Sequence, residues 1–282
     1  MPDTAVLCEP ELSRVTAAAP FAHVAIETAS GPHVTPVLFA ESAGRIWFVV
    51  ARSTLKARVL ARRPRAAILL REDERSVMVR GDVRLLDPLR PMTWTQTPHA
   101  LASAPFGLQS FAFRNPRELF GFALDTFEAR GGPMAGGLLL AALEPVAVAT
   151  VERGVPAQTG SAKGRISLPR GIPREVAQLP RSSREAVLGW IGSDGPVVLP
   201  ARWEPGASSA VVARGAADFA QLNGAAKACI AFDAADRRRP TGKRGVMLRG
   251  QGKARRRGKA TEVRLEIDRA SWWIGFETGT TP

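Results

Sequence analysis

One series of short apolar segments occurs twice in this 282-residue chain, in the same order. Gly31-Pro32-His33-Val34-Thr35-Pro36 is matched by Gly195-Pro196-Val197-Val198-Leu199-Pro200, and Val50-Ala51-Arg52 by Val212-Ala213-Arg214. Arg65-Ala66-Ala67-Ile68 is matched by Lys227-Ala228-Cys229-Ile230, and Val77-Met78-Val79-Arg80-Gly81 by Val246-Met247-Leu248-Arg249-Gly250. Spacing changes only in connecting segments, chiefly at an insertion around residues 237–244. Chance can give one such match, but a full series in register implies a duplicated domain. The chain is long enough for two domains. Residues 1–152 are expected to form the first, 153–182 a linker rich in Gly, Pro and Ser, and 183–282 the second.

Within the first copy, residues 34–40, 45–50, 66–70 and 76–80 are apolar, β-rich runs cut by polar turns, so each copy should be mainly β. Residues 10–19 read as an opening helix, and 21–27 alternate like a strand. A short helix is expected over 55–61, with Leu55, Val59 and Leu60 as its buried stripe and Lys56, Arg58 and Arg62 facing outward. Residues 98–107 read as loop and 117–130 as helix, while 138–151 should be a closing strand with Pro145 at a bulge or edge.

One segment suggests chemistry. Arg52-Ser53-Thr54-Leu55-Lys56-Ala57-Arg58 is a basic helical turn entered from a strand end. It offers backbone N–H groups, two hydroxyls and positive charge, the donors a phosphate monoester needs; a solvated surface helix has the same composition. The second copy has Arg214-Gly215-Ala216-Ala217-Asp218 here, without hydroxyl or lysine, and is expected to have lost the site. His23 reads as structural, and His33 follows Pro32 where it can face a ligand. Three histidines without a cysteine cluster or an HxxH spacing do not suggest a metal centre. The acids Glu72, Asp73 and Glu74 read as a solvated hairpin tip, and Cys8 and Cys229 as free thiols.

A net charge of +13 attracts polyanions, whether nucleic acid, anionic lipid or a phosphorylated or polycarboxylate ligand; coding bias toward arginine gives the same balance. The basic stretches 237–244 and 253–259 lack the interleaved aromatics of a nucleic-acid surface. No apolar run nears the roughly 20 residues of a membrane span, and the first ten residues are mixed and acidic, so a cytoplasmic location is expected. Trp272-Trp273, at a strand end, read as packing residues or as cover for an aromatic ring.

The order of opening helix, HVTPV strand, IWFVV strand, S-x-x-K-A-R-x-L helix, PRAAILL strand and VMVRG strand resembles the pyridoxamine 5′-phosphate oxidase-like split β-barrel superfamily, with its flavin and deazaflavin (coenzyme F-420) oxidoreductases. The resemblance covers residues 16–86 and, in degenerate form, 185–273. It implies a mainly β, α+β chain of two tandem split barrels forming an internal pseudo-dimer, with FMN or coenzyme F-420 in the cleft between them; the fused chain can dimerise further. Carried over by position, Val34, Thr35 and Pro36 lie beside the ring edge, and Arg52, Ser53, Thr54 and Lys56 hold the phosphate. Ser76 stands where flavin-binding members often place a ring-bonding glutamine, and the late Trp and Arg motif of true pyridoxamine phosphate oxidases has no match. The implied activity is hydride exchange with a small-molecule substrate, for which the cofactor supplies the chemistry and the protein the anchoring and orientation. No side chain is singled out as catalytic. The alternative reading is a non-catalytic protein that sequesters a cofactor or haem. The basic chain favours F-420, whose polyglutamate tail is anionic.

Overall fold

The computed structural model describes residues 9–71, 75–87, 98–117, 119, 137–152, 166–234, 243–275 and 277–281. Cys8, the acidic tip 72–74, most of the expected helix 117–130 and the basic insertion up to residue 242 lie outside them.

The first sheet contains β1 (Ala22–Thr28), β2 (Gly31–Val37), β3 (Phe39–Ser42), β4 (Arg45–Ala51), β5 (Arg65–Arg71), β6 (Arg75–Leu86) and β7 (Leu138–Glu152). Helix α1 (Glu9–Ala18) precedes it, α2 (Leu55–Leu60) follows β4, and α3 (Pro98–Arg114) follows β6. Its strand order is β2-β1-β5-β6-β7-β4-β3. Strands β2 and β3 stand at opposite ends of that order, yet only Leu38 separates them along the chain. The sheet must therefore curl until its two edges adjoin. The single strand expected over 34–40 is accordingly two strands, and the buried Leu38 marks the corner. Ile26, Ile46, Phe48, Leu60, Ile68 and Val79 fill the barrel.

The second sheet contains β8 (Glu185–Gly192), β9 (Gly195–Glu204), β10 (Ser209–Ala213), β11 (Ala225–Ala234), β12 (Arg244–Arg257), β13 (Ala260–Ile274) and β14 (Glu277–Thr281). Its order is β10-β9-β8-β11-β12-β13-β14, and β10 also pairs with β13, which closes the ring. Short helices α4 (Arg174–Ala177) and α5 (Leu179–Ser182) precede it, and α6 (Arg214–Phe219) follows β10. The latter part of the expected linker is thus structured: Val176 is buried, and the Trp203 indole donates to the Pro180 carbonyl at 2.8 Å. The chain is mainly β with peripheral helices, as two tandem split barrels require.

Matched segments occupy matched places. Gly31 and Gly195 each open the second strand of a hairpin at φ +109° and +110°, a region that glycine enters without strain. Both copies carry a β-bulge at the same Arg-Gly step, Arg80/Gly81 and Arg249/Gly250. A Cβ at Gly81 would sit 2.0 Å from the Glu144 carbonyl oxygen, and one at Gly250 1.7 Å from that of Glu266, so the bulge excludes any side chain. On the opposing strand Pro145 faces Gly81 and Val146 is left out of register, as expected for that proline.

Two helical expectations are corrected. Residues 98–107 are not loop but the first part of α3, in which Ala104 and Phe111 pack on the barrel and Gly107 lies beneath the Trp47 indole. Packing there outweighs the local signal of Pro105 and Gly107. In α2, Ala57 and Leu60 are the buried residues, while Leu55, at the first helical position, is 39 % exposed.

The copies meet reciprocally. Gly31 lies against Lys227 and Gly195 against Arg65, which are equivalent positions. Arg249 donates to the Ser30 hydroxyl at 3.0 Å, and its equivalent Arg80 lies 3.7 Å from the Asp194 carboxylate. Arg71–Glu185 (2.7 Å) and His23–Asp233 (2.9 Å) tie opposite corners. Ala25, Val34, Ala67, Leu69 and Met78 of the first copy share one core with Trp190, Val197 and Met247 of the second. Among the described residues no helix is long and apolar enough to cross a membrane.

Candidate functional site

Strand β4 delivers Arg52–Thr54 to the start of α2. The Thr54 hydroxyl donates to the Ala51 carbonyl (2.7 Å) and accepts from the Ala57 N–H (3.3 Å), capping the helix. Arg52 is paired with Asp87, Nη2 to Oδ2 at 2.6 Å. Of the four residues assigned to a phosphate, Thr54 is therefore engaged in the cap and Arg52 with a carboxylate, while Ser53 is exposed. Lys56 differs. It is half-buried, and among the described residues it has neither a hydrogen bond nor an ion pair. Burial, then the nearby Lys243 ammonium, brings its pKa from 10.5 down to about 8.

Lys243 belongs to the second copy, at the entrance to β12; its ammonium lies 4.6 Å from the centre of the Phe21 ring. Along β12, alternate residues reach across the seam. The Met247 sulfur accepts from the Val34 N–H at 3.2 Å, and Arg249 donates to Nδ1 of His33. That bond places the remaining imidazole proton on Nε2. Burial, then Arg249 and Lys56, lowers the His33 pKa to about 3, so the ring is neutral. Thr35 is half-buried with no partner for its buried Oγ1, and Arg249 Nε is likewise buried and unpartnered. Asp233, the nearby acid, holds His23. Among the described residues no cluster of His, Cys, Asp and Glu is placed to hold a metal ion.

The residues selected from sequence thus divide. Thr35 and Pro36 are half-buried, Val34 is sealed into the core between the copies, and Lys56 comes near His33 and Lys243. Ser76 does not join them. It is fully buried with an unpartnered hydroxyl, on the same face of β6 as Met78. Because the start of β12 faces α2, the reciprocal relation turns the start of β6, with Ser76, toward α6. The reason is geometric: each cleft takes a β4-type turn from one copy and a β6-type strand from the other. Sequence reasoning met Lys243 only as part of the basic stretch 237–244 and missed Arg249, because every site residue it named came from the first copy.

The equivalent cleft has different chemistry. Asp218 stands where Lys56 stands and pairs with Arg256 at 2.9 Å. Val197 replaces His33, and Arg80 lies 5.1 Å from the centre of the Phe219 ring. A single basic cleft and a charge-balanced one result.

Residues 9–102 match the family model described as pyridoxamine 5′-phosphate oxidase. No curated protein matches the chain. Solved structures similar to it include a conserved hypothetical protein from Mycobacterium tuberculosis, 18% identical, with 57% of this chain and 96% of that one covered at a TM-score of 0.34. An FAD-binding protein from Mesorhizobium loti is 15% identical over 51% of this chain and 94% of that one, at 0.33. A haem storage protein from Vibrio cholerae is 15% identical over 51% and 93%, at 0.34.

Proposed function

We propose, from the premise that residues 9–102 belong to the pyridoxamine 5′-phosphate oxidase-like family, that the basic cleft binds one phosphate-bearing flavin or deazaflavin per chain and serves an oxidoreductase. The observation that carries this reading is Lys56: a half-buried cation with no partner among the described residues, pushed toward neutrality by burial and a second cation. An anion placed there removes the cost of both. The unpartnered Thr35 and Arg249 atoms fit a polar ligand at the same seam.

In this reading Lys56 and Ser53 hold the phosphate, Arg52 keeps the turn in place through Asp87, and Thr35 and Pro36 border the ring. His33 offers its Nε2–H as a neutral donor. A bound flavin or deazaflavin itself supplies hydride transfer, and the protein orients it and keeps water from the cleft. The cations Lys56, Lys243 and Arg249 favour the more anionic F-420. Spectroscopic titration with FMN, FAD and F-420 tests the proposal. We expect micromolar binding of FMN or F-420, with F-420 the more salt-sensitive; no binding of any of the three refutes it.

A second reading, a non-catalytic carrier, is favoured by Gly245, the second-copy equivalent of Ser76, which has no side chain to hydrogen-bond a ring. A ligand that binds tightly and is neither reduced nor oxidised by nicotinamide donors or small-molecule acceptors would select it.

A further inference from the structure

Met247 and Arg249 turn toward the first copy, so the Cα of Gly245, two residues earlier on β12, opens on the same face. From Arg249 at His33 to Met247 at Val34 the two strands run in opposite senses, so the path along β12 toward Gly245 follows β2 in the direction of Thr35 and Pro36. The residue directly across the ladder from Gly245 is Trp273. Its indole covers the glycine: a Cβ there would fall 2.2 Å from Cζ2 and 2.5 Å from Cε2. The ring is nevertheless only half-buried, and the Gly275 N–H bonded to the Lys243 carbonyl (2.8 Å) sets it beside the cation that approaches Lys56. In the other cleft the equivalent pair is Ser76 and Val151, both buried and neither aromatic.

Resting on the proposed cofactor site, we propose that Trp273 of the second copy is the platform against which the cofactor ring lies. The degenerate copy has lost its own anion turn and supplies the aromatic wall of its neighbour's cleft. An indole beside a tricyclic ring adds contact area and offset stacking, with little rotamer entropy to lose. It also quenches the ring's fluorescence by electron transfer, which requires van der Waals contact.

The test is time-resolved fluorescence of bound FMN, or of bound F-420 if that is the ligand, in wild type, Trp273→Phe and Trp272→Phe. The proposal expects strongly shortened emission in wild type, recovery of nanosecond emission with a several-fold to tenfold weaker affinity in Trp273→Phe, and neither change in Trp272→Phe. Phenylalanine keeps most of the packing, and melting curves establish that the variant is folded; if it is not, Trp273→Leu in the same assay replaces it. Lys56-dependent binding with unchanged emission and affinity in the folded Trp273 variant overturns this proposal and leaves the cofactor site standing. Absence of binding in wild type overturns both.

Discussion

Replacing Lys56 by methionine keeps the aliphatic stem and removes only the charge. In the ligand-free protein this should be stabilising. Moving a lysine from 10.5 to about 8 costs its charged form roughly 3 kcal/mol at neutral pH, at about 1.4 kcal/mol per tenfold. Water reaching the half-buried side chain reduces this to about 1–2 kcal/mol, which should raise the melting temperature of Lys56→Met by about 2–8 °C. The sign has a pH signature. The folded pKa lies below the unfolded one, so between about 8 and 10.5 the unfolded chain binds more protons and wild type gains stability as pH rises. The gap between variant and wild type should therefore close across that window. The same change should weaken FMN or F-420 by about one to two decades, the loss of one charge-assisted contact of roughly 1.5–3 kcal/mol. Scanning calorimetry of ligand-free protein and a binding titration read the two effects. A lower melting temperature with unaltered affinity would mean that Lys56 is structural.

Asp218→Ala should leave ligand affinity within twofold in the same titration, since its cleft holds a closed Asp218–Arg256 pair. Binding of FMN measured against pH should show no His33 titration between 5 and 7, rising there only with the second ionisation of the ligand phosphate at about 6, and should fall above about 8 as free Lys56 loses its proton. Gly250→Ala should unfold the protein or cost it more than about 3 kcal/mol in denaturant titration, because the added carbon meets the Glu266 carbonyl at 1.7 Å.

The duplication was legible in sequence because its segments carry backbone demands that few residues meet: a positive-φ glycine at the hairpin and a side-chain-free bulge after arginine. Strand alternation placed most of the sheet for the same reason. The split between β2 and β3 was not legible, since the corner at Leu38 leaves the apolar run unbroken and arises only when the sheet closes. Helix α3 was hidden by Pro105 and Gly107, although the glycine is there to admit Trp47. The basic turn and its short helix were correctly placed after β4. Its Thr54 hydroxyl and Arg52 guanidinium are nevertheless taken up by the helix cap and by Asp87, the latter 35 residues away and reached only in the folded chain. The cleft itself is assembled from residues some 190 positions apart, such as Lys56 and Lys243, and no local pattern encodes that meeting. The repeat register held one usable clue. Serine and lysine in one copy align with glycine and aspartate in the other, so the two clefts could not be alike.

The central claim is one ligand site per chain, on the Lys56 side of the seam. Native mass spectrometry of the protein saturated with FMN, and separately with F-420, reads this directly. One cofactor mass per chain is expected in wild type and in Asp218→Ala at a ligand concentration just sufficient to saturate them, with occupancy sharply reduced in Lys56→Met at that concentration. Two cofactors per chain, or a Lys56→Met variant loaded like wild type, would contradict the claim.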